Sequence, residues 1–271
     1  RLVSDWSSDV CSSDLIERFA RAGKAIFCEK PVDLSVERVR ACLKVVGETG
    51  ARLMIGFNRR FDPHFAAVRR AIDAGRIGAV EMVSITSRDP GLPPLSYIAV
   101  SGGLFRDMTI HDFDMARFLL GEDVETVMAA GAALVDPAVG KAGDIDSASV
   151  ILRTATGRQA LISNSRRASY GYDQRIEVHG SLGAVAAENP RPLLTEIATA
   201  EGYLRPPLHD FFMTRYTEAY AAEIAAFIDA LASGRPMSPS GADGLAALVL
   251  AEAALVSMRE GRAVRVDGIA A

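Results

Sequence analysis

The heptapeptide Ala25-Ile26-Phe27-Cys28-Glu29-Lys30-Pro31 is a short apolar run that ends in two charges and a proline. A run of this length predicts a strand that is buried on both faces of a parallel sheet. Upstream, the residues before Gly23 have the pattern of a helix end; downstream, a helix is predicted between Ser35 and Gly50. Residues 52–56 form a second short apolar run. Helix, strand, helix and strand in this order are typical of a doubly wound parallel sheet.

The chain changes character after Phe57. A strand is predicted over 79–86, a proline-rich loop follows it, and residues 110–120 predict a short helix. Four further strands are then predicted over 124–135, 146–153, 158–165 and 175–179. Two closing helices are predicted over 216–233 and 241–259. Adjacent strands with grouped helices indicate a second domain that contains both helices and strands and is of the α+β class, with an open, largely antiparallel sheet. With the parallel strands before it, the whole chain is expected to be α/β plus α+β. We therefore divide the chain into 16–58, the C-terminal remnant of a Rossmann domain, and 59–271, a second domain.

Residues 1–15 do not fit this organisation. They are rich in Ser and Asp, hold the only Trp of the chain, and show neither helical nor strand periodicity. The segment 5–15 looks like a translated sequencing-adapter oligonucleotide, and a disordered natural tail is the alternative. We leave residues 1–15 out of the fold prediction and expect that the natural sequence before Ile16 is missing.

The composition is that of an ordinary globular protein, with 49% hydrophobic residues and a net charge of −4. No basic tract indicates nucleic-acid binding, and no uninterrupted apolar run reaches the roughly 18 residues of a membrane span. Cys28 falls in a strand and Cys42 in a helix, so both are expected to be buried thiols in a reducing cytoplasm. Cys11 lies in the excluded tail.

The stretch 102–112 reads Gly-Gly-Leu-Phe-Arg-Asp-Met-Thr-Ile-His-Asp and carries the strongest chemical pattern. Asp107 and His111 are four residues apart, which places them on one face of a continuous helix. A carboxylate beside an imidazole fixes the ring tautomer and raises its basicity, as a general base for an alcohol requires near neutral pH. The first alternative is that His111 only caps or packs the helix. The second is a metal site, but Asp112 and Asp114 cannot share one helix face with both other residues, so we predict none.

Lys30 directly follows the first predicted strand. Ligands of parallel sheets bind at the carboxyl ends of the strands, so its ammonium is expected where a cofactor lies. There it has the chemistry to hydrogen-bond a substrate hydroxyl and to stabilise a developing alkoxide. Pro31 makes the turn rigid and is compatible with a cis peptide bond. A solvated lysine at a turn is the alternative.

The stretch Asn58-Arg59-Arg60-Phe61 follows the second strand in the same way. Either arginine has the charge to bind an anion or a polyol, and an exposed pair with salt-bridge partners is the alternative. Tyr170 and Tyr172 flank a glycine before a predicted strand. They either line the open face of the second sheet or pack as ordinary aromatic residues.

In this order and spacing, the motifs resemble the glucose–fructose oxidoreductase / inositol dehydrogenase / rhizopine-catabolism (Gfo/Idh/MocA) family. The resemblance covers nearly all of residues 16–268. It is carried by Glu29-Lys30-Pro31, Gly56-Phe57-Asn58-Arg59-Arg60-Phe61, Gly102-Gly103 leading to Asp107 and His111, and Glu223-Ile224-Ala225-Ala226-Phe227. Within the family, residues 87–90, 107–114 and 170–173 look most like the inositol 2-dehydrogenase subfamily.

The resemblance implies an oxidoreductase that uses NAD, with NADP not excluded, to oxidise a hydroxyl of a cyclic polyol or sugar to a ketone; myo-inositol is the favoured substrate. It implies that Lys30, Asp107 and His111 are catalytic and that Glu29 and Lys30 bind the cofactor. The implied substrate contacts are Asn58, Arg60, Asp89 and Tyr172. It also implies a cytoplasmic homo-oligomer, a dimer or a tetramer, assembled through the open sheet.

The sequence departs from the family pattern in one respect. It contains no Gly-x-Gly, so the phosphate-binding loop of a dinucleotide site is absent. We therefore expect that this chain, as it stands, binds NAD weakly and is inactive. A non-catalytic sugar-binding relative and an NAD-dependent glycoside hydrolase of the same family are the alternatives. Asp107 and His111 weigh against the first, since a binding protein needs no general base.

Overall fold

The structure, a computed structural model, describes residues 12–270, with side-chain surroundings up to residue 269; Cys11 and most of the predicted tail lie outside this range. The elements up to the first long strand of the second domain's sheet are α1 (Ser12–Arg21), β1 (Ile26–Glu29), α2 (Val36–Thr49), β2 (Leu53–Gly56), a 3₁₀ helix (Asn58–Phe61), α3 (Pro63–Asp73) and β3 (Val80–Arg88). The next are α4 (Leu95–Ile98), α5 (Leu104–Asp107), α6 (Thr109–Leu120), β4 (Val124–Ala132), α7 (Pro137–Lys141), β5 (Ser147–Thr154), β6 (Gln159–Ser165), β7 (Asp173–Gly180) and β8 (Gly183–Ala187). The last are β9 (Ile197–Thr199), β10 (Gly202–Leu204), α8 (Phe212–Arg215), α9 (Thr217–Ser233), α10 (Gly241–Glu260), β11 (Val264–Arg265) and α11 (Asp267–Ala270).

Residues 12–15, which we expected to belong to a structureless tail, form the first turn of α1. Ser13 is fully buried and donates a hydrogen bond of 2.6 Å to Asp33. Asp14 forms an ion pair of 2.5 Å with Arg38 on α2. Because these polar side chains find partners on the neighbouring loop and helix, residues 12–15 belong to the folded domain, which the sequence pattern did not indicate.

β1 and β2 form the parallel pair that the two apolar runs predict, with Ile26 opposite Leu53 and Glu29 opposite Gly56. The Lys30–Pro31 peptide bond that follows β1 is cis. Because parallel strands end at the same edge, the residues that follow β1 and β2 lie side by side there.

The second domain is built on a seven-stranded sheet with the order β11–β4–β5–β6–β3–β7–β8. Five neighbouring pairs are antiparallel, whereas β3 and β6 run parallel, with Ile85 opposite Ile162. The sheet is therefore mixed: most of its pairs are antiparallel, as we expected, but neighbouring strands do not all follow each other in sequence. The difference arises because β3, which precedes α6, inserts between β6 and β7. As a result, the carboxyl ends of β3 and β6 lie at the same edge.

One face of this sheet packs against α6 and α10. Side chains of a strand point alternately to opposite faces, so Val127 and Leu152 are buried toward the helices. The opposite face carries Met128, Ile151 and Leu161, which lie side by side on β4, β5 and β6. Their exposed fractions are 38%, 46% and 41%. The outer face thus presents an apolar strip to solvent.

The first strand pair and the last two long helices pack together. Phe27 of β1 meets Phe227 of α9 edge to face, with ring centroids 5.8 Å apart. The backbone N–H of Ile55 in β2 donates a hydrogen bond of 3.0 Å to the carbonyl oxygen of Pro239, just before α10. Residues 16–58 are therefore joined to the second domain by tertiary contacts that come from the end of the chain.

Helix α10 is, within the described range, the helix whose length and composition would suffice to cross a membrane, with a mean hydropathy of 1.5. Asp243 and Glu252 interrupt its sequence, which is why it holds no long apolar run. Just over half of the apolar window, 56%, is buried in the fold, and the helix packs against α2, α5, α6 and β4. Its apolar character is accounted for by this position in the core.

Candidate active site

Lys30 reaches from the carboxyl end of β1 to the end of α5. Its ammonium donates a hydrogen bond of 2.6 Å to the backbone carbonyl oxygen of Asp107 and lies 3.5 Å from the Asp107 carboxylate. Burial lowers the pKa of Lys30, and the carboxylates of Asp107 and Glu29 oppose this effect. Two of the three residues that we predicted to be catalytic are therefore in direct contact.

The same contact interrupts the helix that we expected between Asp107 and His111. In a continuous α-helix the Asp107 carbonyl would accept the backbone N–H of His111, four residues later. That carbonyl accepts Lys30 instead, and the His111 N–H points to the Met108 carbonyl at 3.3 Å. Consequently α5 ends at Asp107 and α6 begins at Thr109, so no continuous helix connects the two residues.

Two glycines fix the start of α5. Gly102 and Gly103 adopt positive φ angles of 83° and 86°, which other residues rarely adopt. A Cβ on Gly103 would lie only 2.9 Å from the Asp144 carboxylate. That carboxylate accepts the backbone N–H of Leu104 at 3.1 Å and so satisfies a free donor at the helix start. The Gly-Gly pair is thus required by the turn that directs α5 toward Lys30.

The Asp107 carboxylate is surrounded by donors other than His111. It accepts hydrogen bonds from the Tyr97 hydroxyl at 2.8 Å and from the Arg166 guanidinium at 2.9 Å. Burial would raise the pKa of Asp107, but Lys30 and Arg166 outweigh it and bring the pKa below the usual value. The geometry therefore assigns Asp107 to holding Lys30, and the expected carboxylate–imidazole contact is not formed.

His111 stands at the start of α6, beside the same cluster. Its ring meets Phe57 edge to face, with centroids 6.2 Å apart. Burial lowers the pKa of His111 well below the usual value, and the positive charges of Lys30 and Arg59 lower it further. This is opposite to the raised basicity that we expected. The buried Nδ1 has no hydrogen-bond partner in the described part of the chain. The imidazole is therefore neutral near neutral pH and has a free position for a proton.

A buried polar network lies behind His111. Arg59 pairs with Asp112 at 2.5 Å and donates to the Ser87 hydroxyl at 3.2 Å. Asn164 donates to the second oxygen of Asp112 at 2.8 Å. The Arg59 guanidinium also lies 6.0 Å from the centre of the Tyr216 ring. This network fixes the first turn of α6 against the 3₁₀ helix, β3 and β6, and so sets the position of His111.

Arg60, which we predicted to contact the substrate, lies elsewhere. Its guanidinium binds Asp114 through two hydrogen bonds of 2.8 and 2.5 Å and binds Asp243 at 2.9 Å. It also covers the ring of Phe118 at 4.8 Å. The neighbouring Arg59 faces the candidate site instead, because consecutive residues of the tight 3₁₀ helix point in different directions. Asp112 and Asp114, which we had considered as metal ligands, are both neutralised by arginine.

The other predicted substrate residues lie around the cluster. Asp89 follows β3 and lies 3.9 Å from Arg166; burial raises the pKa of Asp89 to about 6, although Arg166 and Arg59 oppose this. Tyr172 is buried and meets Tyr216 edge to face at 6.0 Å. Asn58 is buried at the start of the 3₁₀ helix, directly after Phe57.

Sequence reasoning did not find Tyr97 as part of the site and did not assign Arg166 a role in it. Arg166 bridges Asp107 and Asp89 because β6 ends beside β3. The available signal was weak: a basic residue directly after a predicted strand. Tyr97 lies in a short helix after the proline-rich loop and carried no signal beyond its hydroxyl.

Two observations test whether the residues present fit a nicotinamide cofactor. The carboxyl ends of β1 and β2 form an edge where a dinucleotide binds in this class of sheet. At that edge a Cβ on Gly56 would lie 2.9 Å from the Glu29 carboxylate, so the glycine makes room for this carboxylate at the strand end. Glu29 and Lys30 supply a carboxylate and an ammonium at the same edge. The donor set fits the nicotinamide end of the cofactor.

The chain belongs to the Gfo/Idh/MocA family of oxidoreductases. Residues 7–57 match the oxidoreductase family with an NAD-binding Rossmann fold, and residues 65–186 match the GFO/IDH/MocA C-terminal domain. The protein is thus an oxidoreductase of an NAD-binding class, as the motifs indicated.

Among individual proteins, the chain is 72% identical to inositol 2-dehydrogenase of Rhizobium meliloti (strain 1021), over 94% of this chain and 77% of the relative. It is 46% identical to myo-inositol 2-dehydrogenase of Thermotoga maritima, over 99% of this chain and 83% of the relative. The crystal structure of a myo-inositol dehydrogenase from Corynebacterium glutamicum superposes with a TM-score of 0.91 at 45% identity, covering 94% of this chain and 76% of that one. A scyllo-inositol dehydrogenase from Lactobacillus casei with bound NAD(H) and scyllo-inositol has a TM-score of 0.88 at 28% identity, covering 96% and 78%.

Proposed function

We propose that this chain carries the catalytic and substrate-binding residues of an NAD-dependent inositol 2-dehydrogenase, with myo-inositol as the favoured substrate. The observation that carries the proposal is the convergence of Lys30, Asp107 and His111 at the carboxyl end of β1. These residues come from two parts of the chain, yet they surround one position beside the candidate cofactor edge. The high identity to the Rhizobium meliloti and Thermotoga maritima relatives supports the substrate class.

The neutral imidazole of His111 is suited to take the proton of a substrate hydroxyl. A base must be unprotonated to act, and the lowered pKa of His111 keeps it so near neutral pH. The Lys30 ammonium lies beside it and is suited to donate a hydrogen bond to the same hydroxyl oxygen, which stabilises the alkoxide as the proton leaves. Asp107 holds the ammonium in place through its carbonyl oxygen and its carboxylate.

NAD, when bound, supplies the acceptor for the hydride that leaves the carbinol carbon as the hydroxyl becomes a ketone. Glu29 and Lys30 are the residues of this chain that would hold its nicotinamide end. The glycine-rich loop for the phosphates does not occur in the sequence. We therefore propose that this chain alone binds NAD weakly and turns over little or no substrate.

Asp89 and Tyr172 supply the polar groups for the remaining hydroxyls of the polyol. A carboxylate accepts hydrogen bonds from adjacent hydroxyls, and an aromatic hydroxyl both donates and accepts. The guanidinium of Arg166 lies between the carboxylates of Asp89 and Asp107 and pairs with both. It therefore keeps a fixed distance between Asp89, which is proposed to bind the substrate, and Asp107, which holds Lys30. Asn58 is proposed as a further contact from the buried turn after β2.

The test is a fusion protein in which the part of the Rhizobium meliloti relative preceding the matched region replaces residues 1–15. We expect the fusion protein to form NADH from myo-inositol or scyllo-inositol, and the unmodified chain to form none. Binding of the polyol by the fusion protein without NADH formation would favour a sugar-binding relative. Cleavage of a glycoside with retained NAD and no net NADH would favour a hydrolase. Titration of the unmodified chain with NADH measures its own affinity, and micromolar binding would contradict the weak binding that we propose.

We further propose that the chain forms a homo-oligomer through the outer face of the sheet. The exposed Met128, Ile151 and Leu161 form a continuous strip. On one side of the strip, the next row along β4, β5 and β6 carries the small side chains of Ala130, Ser149 and Ser163, so this part of the face is flat. A flat face with an apolar strip can be covered by its own copy around a two-fold axis.

A reducing cytoplasm is the proposed location, because Cys28 and Cys42 are both free thiols. Burial raises the pKa of Cys28 to about 12, and burial raises the pKa of Cys42 to about 11. Both thiols are therefore unreactive and have a packing role.

A further inference from the structure

Glu223 is a buried carboxyl that the dehydrogenase chemistry does not use. It lies in the second turn of α9 and is only 1% exposed. Its Oε2 atom is sealed from solvent and has no hydrogen-bond partner among residues 12–270. Neither does any lysine or arginine of the described residues pair with it. A carboxylate in this position would be desolvated without compensation, which costs far more than burying the neutral acid.

The packing of α9 on β1 places Glu223 opposite Glu29. Phe27 and Phe227 meet edge to face. Glu29 is two residues after Phe27 and so points to the same side of the strand. Glu223 is four residues before Phe227 and so lies on the same side of the helix. β1 and α9 are antiparallel along this contact. Glu29 comes after Phe27 on the strand and Glu223 comes before Phe227 on the helix, so both glutamates lie on the same side of the phenylalanine pair.

The electrostatics of the surrounding groups agree with this placement. Burial and the negative charge of Glu29 raise the pKa of Glu223 to about 8. Glu29 is an exposed residue, yet the protein packed around its carboxyl raises the pKa of that group, while Lys30 opposes this. Tyr220, one turn before Glu223, has its pKa raised to about 12 by burial and by both glutamates, against the influence of Arg59. The acidic groups from both elements thus face one another, and the nearby cations lie on the Lys30 side.

We propose that Glu29 and Glu223 share one proton, and that this carboxyl pair fixes α9 on the carboxyl end of β1 beside Lys30. The neutral Glu223 donates its proton to the Glu29 carboxylate, which satisfies the otherwise unpartnered Oε2. Loss of the proton leaves two anions in contact and weakens the attachment of α9. Glu223 is a positioning residue: through Glu29 it holds the strand end from which Lys30 extends. The inference is independent of the dehydrogenase proposal, because its test needs neither cofactor nor turnover.

The experiment measures thermal unfolding of the full 271-residue chain as a function of pH for the unmodified chain, Glu223→Gln and the control Glu218→Gln. Glu218 lies on the same helix but is exposed. A carboxyl whose pKa rises from 4.5 to about 8 on folding stabilises the fold below pH 4.5 and loses this contribution as the pH rises to about 8. Glutamine keeps an N–H donor and does not titrate. We therefore expect the Tm of Glu223→Gln to gain on the unmodified chain by at least about 3 °C across this range.

The control Glu218→Gln should follow the unmodified chain, and Glu29→Gln should show a smaller pH dependence because one of the two charges is gone. Parallel curves for the unmodified chain and Glu223→Gln would overturn the proposal. So would a Glu29→Gln curve identical to that of the unmodified chain. If Glu223→Gln does not fold, NMR titration of the unmodified chain with ¹³C-labelled glutamate decides the matter, since aspartates stay invisible. A glutamate carboxyl that is still protonated at pH 7 supports the pair, and ionisation of every glutamate below about pH 5.5 overturns it.

Discussion

The ammonium of Lys30 and the backbone carbonyl oxygen of Asp107 lie 2.6 Å apart, although 77 residues separate them in the sequence. The contact joins the end of β1 to the end of α5 and diverts the carbonyl from its place in a helix. One hydrogen bond thus positions the ammonium and also shapes the turn that presents His111. Lysine is suited to this dual role, since its three donors can bind the carbonyl, the carboxylate and a substrate hydroxyl together.

Replacing Lys30 by Met removes the charge and keeps most of the apolar stem. In the fusion protein we expect kcat to fall by about 10²-fold or more, because the developing alkoxide loses its electrostatic partner. The measurement is initial-rate NADH formation at saturating polyol. Lys44→Met is the matched control, since Lys44 is exposed on α2, and its kcat should be unchanged. A Lys30→Met variant with full kcat would exclude the ammonium from the chemical step.

The buried His111 should make the stability of the protein depend on pH. Its unfolded form takes up a proton below about pH 6.5, while burial, Lys30 and Arg59 keep the folded form neutral to a much lower pH. Stability is therefore lost as the pH falls through 6.5, and His111→Asn should abolish this part of the loss. Unfolding midpoints between about pH 7.5 and 5.5 measure the effect, with the exposed His64→Asn as the control. The same variant in the fusion protein should lose about 10²-fold or more in kcat. Identical pH profiles for His111→Asn and the unmodified chain would argue against a neutral buried imidazole.

Asp89 should make the apparent affinity for the polyol depend on pH. Burial, opposed by Arg166 and Arg59, raises the pKa of Asp89 to about 6, so the carboxylate is lost as the pH falls through this value. Because the anion accepts the stronger hydrogen bonds from hydroxyls, KM for the polyol should rise below about pH 6. In Asp89→Asn, KM should be higher and no longer depend on pH in this range, with kcat less affected. Asp123→Asn at an exposed position is the control. A pH-dependent KM that survives in Asp89→Asn would point to another group.

The Arg59–Asp112 pair should matter for stability through its burial. Both side chains are almost fully buried, with 6% and 0% exposure. Arg59→Met leaves Asp112 buried without its partner, and we expect a loss of about 3 kcal/mol or more in the free energy of unfolding. The double variant Arg59→Met/Asp112→Leu removes both charges and should recover part of that loss. Urea unfolding measures the two free energies. A double variant less stable than the single one would show that Asp112 contributes without Arg59.

Replacing Leu161 by Asp places a charge in the centre of the exposed strip on the outer face of the sheet. We expect it to dissociate the proposed homo-oligomer, because the strip can no longer be covered by a second apolar surface. Sedimentation velocity before and after the substitution gives the mass. Leu134→Asp is the control, since Leu134 is highly exposed but lies off the sheet. An unmodified chain that is monomeric at every concentration would contradict the proposal directly.

Local patterns were sufficient for most of the fold. The apolar runs of β1 and β2 and the caps of α2 depend on neighbours in sequence, and each element lies where its pattern predicts. β3 pairs with β6 because β3 inserts between β6 and β7, two strands that come much later in the sequence, and no local pattern records this. For the same reason Arg166 was not assigned to the site, since its position follows from that pairing.

The candidate site shows the same division. Lys30 could be placed because the end of a parallel strand is a local feature with a general consequence. The four-residue spacing of Asp107 and His111 predicts contact between the two side chains only in a continuous helix. The helix is interrupted where Lys30, from the first domain, binds the Asp107 carbonyl oxygen. Arg60 was preferred over Arg59 because sequence alone does not say which way consecutive residues of a 3₁₀ helix point.

The contacts between β1–β2 and α9–α10 join the two ends of the chain, because its last long helices pack against its first strands. Phe227 and Pro239 must therefore leave Phe27 and Ile55 before residues 16–58 can separate from the rest. Two regions that look like successive modules along the sequence are, in the folded molecule, one cooperative unit. Their loss of structure should be a single event, and neither module is built to persist alone.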